Sequence, residues 1–200
     1  MKLKICRLKN ETDIQAVNQA KIDMVGFVID YPPSKRSIQK QEIKKLADKL
    51  DPSIMKVGVF VDAPLDTMLD LVQEGSIDAI QLHGQEQEDM IEQLKKQTTV
   101  PIIQAFQVDP KLSFDTVNAS KADLVLLDAG KGEGKTFDWD QLQEVKRKFA
   151  LAGGIDAHNI RQAMRYEPYM IDVSSGAEEN GQKTAARIQE LIQKMKGQPQ

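Results

Sequence analysis

The sequence predicts a single (β/α)8 barrel: an eight-stranded parallel sheet closed on itself, with helices outside. Three observations carry that prediction. Eight short apolar runs recur from one end of the chain to the other, stretches of helical period lie between them, and the connections are too long for hairpins. Strands joined this way run parallel through right-handed crossovers. At 200 residues the chain is long enough for one sizeable core and sits near the lower limit for such a barrel.

The predicted strands are Leu3–Cys6, Met24–Ile29, Val57–Val61, Ala79–Leu82, Ile102–Phe106, Leu124–Leu127, Phe149–Ala152 and Met170–Val173. Most are continuous apolar runs rather than alternating ones, as expected of strands buried on both faces. Between them, Ile43, Leu46, Ala47 and Leu50, then Leu65, Met68, Leu69 and Val72, then Ile188, Leu191, Ile192 and Met195 each form a helical stripe. Pro64 marks the start of the third helix, and Asp138 with Gln141 three positions later resembles a capping box. The segment 110–121 carries the weakest helical pattern. An open doubly wound sheet is the alternative fold, but no GxGxxG follows the first strand. No break in composition divides the chain, so residues 1–196 read as one barrel domain and 197–200 as a free tail.

Composition bounds the function. Hydrophobic residues make up 40% and charged residues 28%, which fits a soluble globular protein with a mainly aliphatic core. Net charge is −3, with lysines scattered among acids, so there is no electrostatic footprint for nucleic acid and phosphate binding would need local geometry. Cys6 is the only cysteine, which rules out an internal disulfide or a cysteine metal cluster and favours a reducing compartment. Charges interrupt the apolar residues of the N-terminus, and no apolar run reaches spanning length, so a cytoplasmic protein without a membrane segment is expected. Monomer and homodimer both remain open.

In barrels of this kind chemistry sits where the strands end. Cys6 ends the first predicted strand, and Asp128 follows the sixth. A lone cysteine is more often a small buried hydrophobe, and an aspartate after a strand can simply ligate loop amides. Their rim positions favour function, and an acid preceded by four apolar residues invites a raised pKa. Gly153-Gly154 follows the seventh strand and Ser174-Ser175-Gly176 the eighth. Either pair alone could be an ordinary tight turn. Together they suit a phosphate, with amides and hydroxyls as donors and a short helix starting near Gly176 aimed at the anion.

These residues also resemble one family, phosphoribosylanthranilate isomerase of tryptophan biosynthesis. The resemblance runs through Lys4-Ile5-Cys6, Val25-Gly26-Phe27-Val28, Ser34-Lys35-Arg36, Val57-Gly58-Val59-Phe60-Val61, Gln81-Leu82-His83-Gly84, Gly134-Lys135-Thr136-Phe137-Asp138-Trp139, Leu151-Ala152-Gly153-Gly154 and Asp172-Val173-Ser174-Ser175-Gly176. Each tetrapeptide is weak, whereas the ordered set is specific. The resemblance implies an Amadori rearrangement of N-(5-phosphoribosyl)anthranilate, with no cofactor and no metal. It implies Cys6 as general base and Asp128 as general acid, Arg36 as a fork for the anthranilate carboxylate, and Gln81, His83 and Asp172 as residues lining the pocket. A free thiol with pKa about 8.5 would need only a modest shift to serve as a base, whereas an aspartate near about 3.9 would need a raised pKa to hold a proton.

Three departures stand out. Arg7 replaces the family glycine after the cysteine, which obliges a different loop path or lends a positive charge that lowers the thiol pKa. The loop Gly130-Lys131-Gly132-Glu133-Gly134 is shorter and more charged than the family form, and Gly154-Ile155-Asp156-Ala157-His158-Asn159 lacks a proline at the helix start. Two other functions keep the same barrel. One is a sugar-phosphate isomerase or epimerase using paired acids and a metal, against which the missing His/Asp constellation argues. The other is a non-catalytic phosphate-binding relative altered at Arg7.

Overall fold

The structure, a computed structural model, describes residues 1–129 and 137–197. Its barrel strands are β1 (Lys2–Ile5), β2 (Met24–Ile29), β3 (Met55–Phe60), β4 (Ala79–Leu82), β5 (Ile102–Gln107), β6 (Leu124–Asp128), β7 (Phe149–Leu151) and β8 (Met170–Val173). All pair in parallel with their sequence neighbours except β1, which pairs with both β2 and β8 and so closes the barrel. Closure leaves no free sheet edge, apart from a two-residue strand, Ser37–Ile38, appended beside β2. The strands therefore lie where the apolar runs place them, to within two residues at each end.

Around the barrel run α1 (Glu11–Ala20), α2 (Lys40–Ala47), α3 (Leu65–Gln73), α4 (Glu88–Gln97), α5 (Phe114–Ala119), α6 (Ile160–Met164) and α7 (Ala185–Lys196). Their stripes meet the outer faces of the strands: Ile14, Val17, Ile43, Met68, Leu71, Ile91, Leu94, Ile188 and Leu191 pack with Ile5, Val25, Phe27, Phe60 and Ile80. Asn10 caps α1 by accepting the Asp13 amide, and Pro64 stands at the cap position of α3. The alternation is not strict. Between β6 and β7 a 3-10 segment, Trp139–Glu144, replaces a full helix. Asp138 caps it through the Asp140 amide, and buried Trp139 and Leu142 seal that side, with Tyr166 edge-on to the indole at 6.2 Å. The weak helical pattern of 110–121 condenses to the six residues of α5.

Inside the barrel every second residue faces the axis. Met24, Val57, Ala79, Ile103, Leu124, Leu126, Ala150, Ala152 and Met170 fill its lower part. Above them the inward positions become largely polar, though Val28 and Val59 are among them.

A repeated device holds the opposite end. Asp23, Asp78 and Asp123 each precede an even-numbered strand and accept an amide at the start of the strand before it: Leu3 at 2.9 Å, Lys56 at 2.8 Å and Ile102 at 2.8 Å. Each acid also pairs with a lysine, respectively Lys2 at 2.7 Å, Lys56 at 3.3 Å and Lys95 at 2.7 Å. The fourth pair of strands substitutes Lys148 over the ring of Tyr169, 4.0 Å from its centroid.

Burial pushes the Asp123 carboxyl up, but Lys95 and the Ile102 amide outweigh it and hold the group below its ordinary range. A depressed carboxyl stabilises the fold above its unfolded pKa of about 3.9 and loses that contribution as pH falls through the folded value. Asp123→Asn is expected to lower stability by about 1 kcal/mol near neutrality. The difference from wild type should shrink in urea unfolding curves recorded below about pH 4.

Candidate active site

One cavity opens at the C-terminal ends of the barrel strands. Its walls include Cys6, Arg7, Gln81, His83, Asp128, Gly153, Gly154, Asp172, Ser174 and Ser175. Alternation explains the gathering. Lys4 and Cys6, Gln81 and His83, and Asp172 and Ser174 are successive inward positions on three strands, and Asp128 is the last inward residue of β6. Val28 and Val59 pack beside Cys6, with Tyr31 against them.

Cys6 lies one residue beyond β1, its amide bound to the Val173 carbonyl at 2.8 Å. It is buried, and burial pushes its thiol pKa up; Asp172 adds to that, while Lys4 and then Arg7 pull it down. Arg7 thus acts in the expected direction, but desolvation prevails. The backbone of Arg7 has φ 65°, so the arginine holds the left-handed conformation that a glycine favours. Its side chain lines the cavity beside Ser174 and Ser175.

Across the cavity Gln81 Nε2 lies 3.0 Å from His83 Nδ1, and His83 Nε2 lies 3.3 Å from Asp128 Oδ2. With the Gln81 amide donating, the imidazole turns its Nε2 proton toward the carboxylate. Gln81 is fully buried and fixes the ring.

The two small-residue loops lie side by side. Gly153 and Gly154 have φ of 90° and 63°. A Cβ on Gly153 would meet Ala129 at 2.5 Å, so only glycine lets this turn run beside the end of β6. Gly176 packs behind the rim, where a Cβ would come within 2.2 Å of the Ile155 carbonyl, so it joins the loops rather than facing the cavity. The short helix expected near Gly176 is a single 3-10 turn, Ser175–Ala177, because the chain turns at once into the hairpin pairing Glu178–Glu179 with Gln182–Lys183. The Gly130–Gly134 loop lies outside the described residues.

Arg36 stands apart. Its guanidinium pairs with Asp13 at 3.2 Å and Glu178 at 3.0 Å, and also donates to the Gly181 carbonyl. It lines a neighbouring cleft that shares Arg7, Ser174 and Ser175 with the main cavity. Buried Lys183 completes this cluster, its ammonium 2.8 Å from both Glu178 and the Ser174 carbonyl.

Sequence reasoning passed over Lys4 as a site residue. It is fully buried on the inward face, with Nζ 2.7 Å from Asp172 Oδ2. Counting back two residues from Cys6 along a period-two strand would have found it.

Three buried polar atoms in or at this cavity, Gln81 Oε1, Asp172 Oδ1 and Ser174 Oγ, have no partner among the described residues. Native interiors leave few such atoms, and a cluster of them in one cavity marks where a ligand supplies the missing bonds. With orphaned polar groups, a thiol and a carboxylate gathered at the C-terminal rim of the strands, fold and site place the chain among enzymes of the (β/α)8 class.

Comparison with known proteins narrows the class. Residues 3–194 match the family model for N-(5'-phosphoribosyl)anthranilate (PRA) isomerase, and the chain belongs to that family. An N-(5'-phosphoribosyl)anthranilate isomerase from Endomicrobium trichonymphae is 40% identical over 197 residues, covering 96% of each chain. Among solved structures, the phosphoribosyl anthranilate isomerase of Thermus thermophilus superposes with a TM-score of 0.87 at 28% identity, over 98% of each chain. Another such enzyme, in complex with reduced 1-(o-carboxyphenylamino)-1-deoxyribulose 5-phosphate, superposes with a TM-score of 0.84 at 30% identity, over 99% of this chain and all of that one.

The positive φ of Arg7 yields a prediction. Arg7→Gly should be more stable than Arg7→Ala by about 1 kcal/mol in urea unfolding, because both lose the side chain but only alanine must still hold the left-handed backbone. The reverse order would mean that the loop leaves this conformation.

Proposed function

We propose that the protein isomerises N-(5'-phosphoribosyl)anthranilate to 1-(2-carboxyphenylamino)-1-deoxyribulose 5-phosphate, a step of tryptophan biosynthesis, as a cytoplasmic enzyme formed by one barrel domain. The observation that carries this reading is the placement of Cys6 and Asp128 in the walls of one cavity, with the glycine and serine loops beside them. Family membership supplies the reaction, and the cavity supplies groups suited to each step.

The phosphate end of the substrate fits against Gly153-Gly154 and Ser174-Ser175, where the Ser174 hydroxyl lacks a partner among the described residues and Arg7 adds a formal positive charge. Asp128 then acts as general acid. It gives a proton to the ribose ring oxygen, the bond from that oxygen to C1 breaks, and the nitrogen lone pair forms the Schiff base. His83, held by Gln81 and in contact with Asp128, orients that carboxyl toward the cavity. Cys6 acts as general base: the C2–H bond breaks, its proton passes to sulfur, and the electron pair moves into C1–C2 as the Schiff-base nitrogen is neutralised. The resulting enolamine tautomerises to the ketone.

Burial opposes this role for Cys6, since a thiol with a raised pKa is mostly protonated near neutrality; once formed, its thiolate is the stronger base for it. Arg36 suits the anthranilate carboxylate as a planar fork. To serve it must exchange Glu178 for the substrate, both being carboxylates.

Turnover is read from the loss of fluorescence of freshly generated phosphoribosylanthranilate. Fast wild-type conversion is expected, with falls of at least about 100-fold in kcat for Cys6→Ser and Asp128→Asn, the usual scale of general acid or base catalysis. A folded wild type without turnover would overturn the assignment, and binding of a reduced product analogue to it would then identify a silent relative.

A further inference from the structure

Lys4 is an unexpected residue to find inside a barrel. Its side chain is wholly buried, and the axial layer below it is apolar, formed by Met24, Leu124 and Met170 among others. Burying a lysine and an aspartate together costs two desolvations, and an apolar pair of the same shape usually serves stability as well or better. Stability therefore gives no reason for the Lys4–Asp172 pair, and its surroundings supply another.

The Lys4 ammonium bonds Asp172 and acts electrostatically on the nearby Cys6 thiol, so its charge is divided between them. Both groups lie over Gly26, where a Cβ would fall 2.8 Å from Lys4 Nζ and 2.7 Å from Cys6 Sγ. Glycine at this inward position leaves the space in which ammonium and sulfur sit together. Asp172 bonds Nζ through Oδ2 alone, and its Oδ1 has no partner among the described residues.

We propose that Lys4 is a positioning residue of the isomerase, the buried counter-cation that sets the proton affinity of Cys6, with Asp172 regulating how much of its charge reaches the sulfur. This rests on the reading of Cys6 as the base. The charged groups that reach Cys6 are Lys4 from β1, Arg7 from the following turn, Asp172 from β8 and Lys183 from the hairpin beyond it. Among the described residues, Lys4 is the fully buried cation that shares with the thiol the space over Gly26. When substrate bonds Oδ1 of Asp172, which has no partner among the described residues, that carboxylate pulls less on the ammonium, and more of the cation's field falls on sulfur as the base is required. Burial pulls the Lys4 pKa down, but Asp172 and Cys6 outweigh it and hold the ammonium above its ordinary value.

Because Cys6 is the only cysteine, the thiolate absorbance of the whole protein reports this one group. The test titrates that absorbance, and the rate of alkylation by iodoacetamide, in wild type, Lys4→Met and Asp172→Asn, with Cys6→Ser as the blank. The two substitutions should act oppositely. Lys4→Met removes the cation and should move the thiol midpoint up, slowing alkylation near neutrality by at least about threefold. Asp172→Asn leaves the cation to the sulfur alone and should move the midpoint down. The limb of the kcat/KM profile that reports the base should follow in the same directions. Unchanged midpoints in folded variants, or movement of both in one direction, overturn the proposal. Should Lys4→Met fail to fold, the downward movement in Asp172→Asn decides it alone. Midpoints that move oppositely while the kcat/KM limb stays fixed would uphold the electrostatic coupling and overturn Cys6 as the base.

Discussion

Everything in this protein follows from the closure of a parallel sheet at one strand. β1 bonds to β2 on one side and β8 on the other, and without both pairings the sheet would be left with two open edges. Closure fixes the tilt and register of every strand, and register decides which residues face the axis. A slip of one residue in β1 would turn Lys4 and Cys6 toward the helices and bring Leu3 and Ile5 into the cavity. The site is therefore specified by the same hydrogen bonds that complete the fold.

Within that frame the protein divides its interior by polarity. Aliphatic side chains fill the lower barrel, and the polar residues needed for chemistry occupy the inward positions above them. Gln81, His83 and Asp128 form one chain of contacts and Lys4, Cys6 and Asp172 another. Under the proposed mechanism the first would deliver a proton and the second remove one, and both lie in the cavity that the glycine and serine loops also line.

Much of this was legible in the sequence. Buried parallel strands are continuous apolar runs, and their ends were visible because charge, glycine or serine follows at once, as in Leu127-Asp128 or Val173-Ser174. Alternation from those ends brings Cys6, Asp128, His83 and Asp172 to one cavity. What could not be read were partnerships between distant residues. Arg36 looks in sequence like an unoccupied rim guanidinium, yet Asp13 and Glu178 already hold it. Period two would place Lys4 on the inward face, but nothing local announces its partner, an aspartate 168 residues away. Nor does a sequence show that Arg7 takes the left-handed backbone, a conformation that its surroundings impose.

The locks at Asp23, Asp78 and Asp123 bear on how such a chain comes to be assembled. Each joins groups only 20 to 22 residues apart, so it closes a short stretch at small entropic cost. Successive strand pairs can thus be pinned as they leave the ribosome, before the rest of the polypeptide exists. The contact of Lys4 with Asp172 is the opposite case, joining the first strand to the last. The chemistry is withheld until synthesis is nearly complete, and a truncated or stalled product, however well its early modules hold together, has the thiol but not the full electrostatic setting that goes with it.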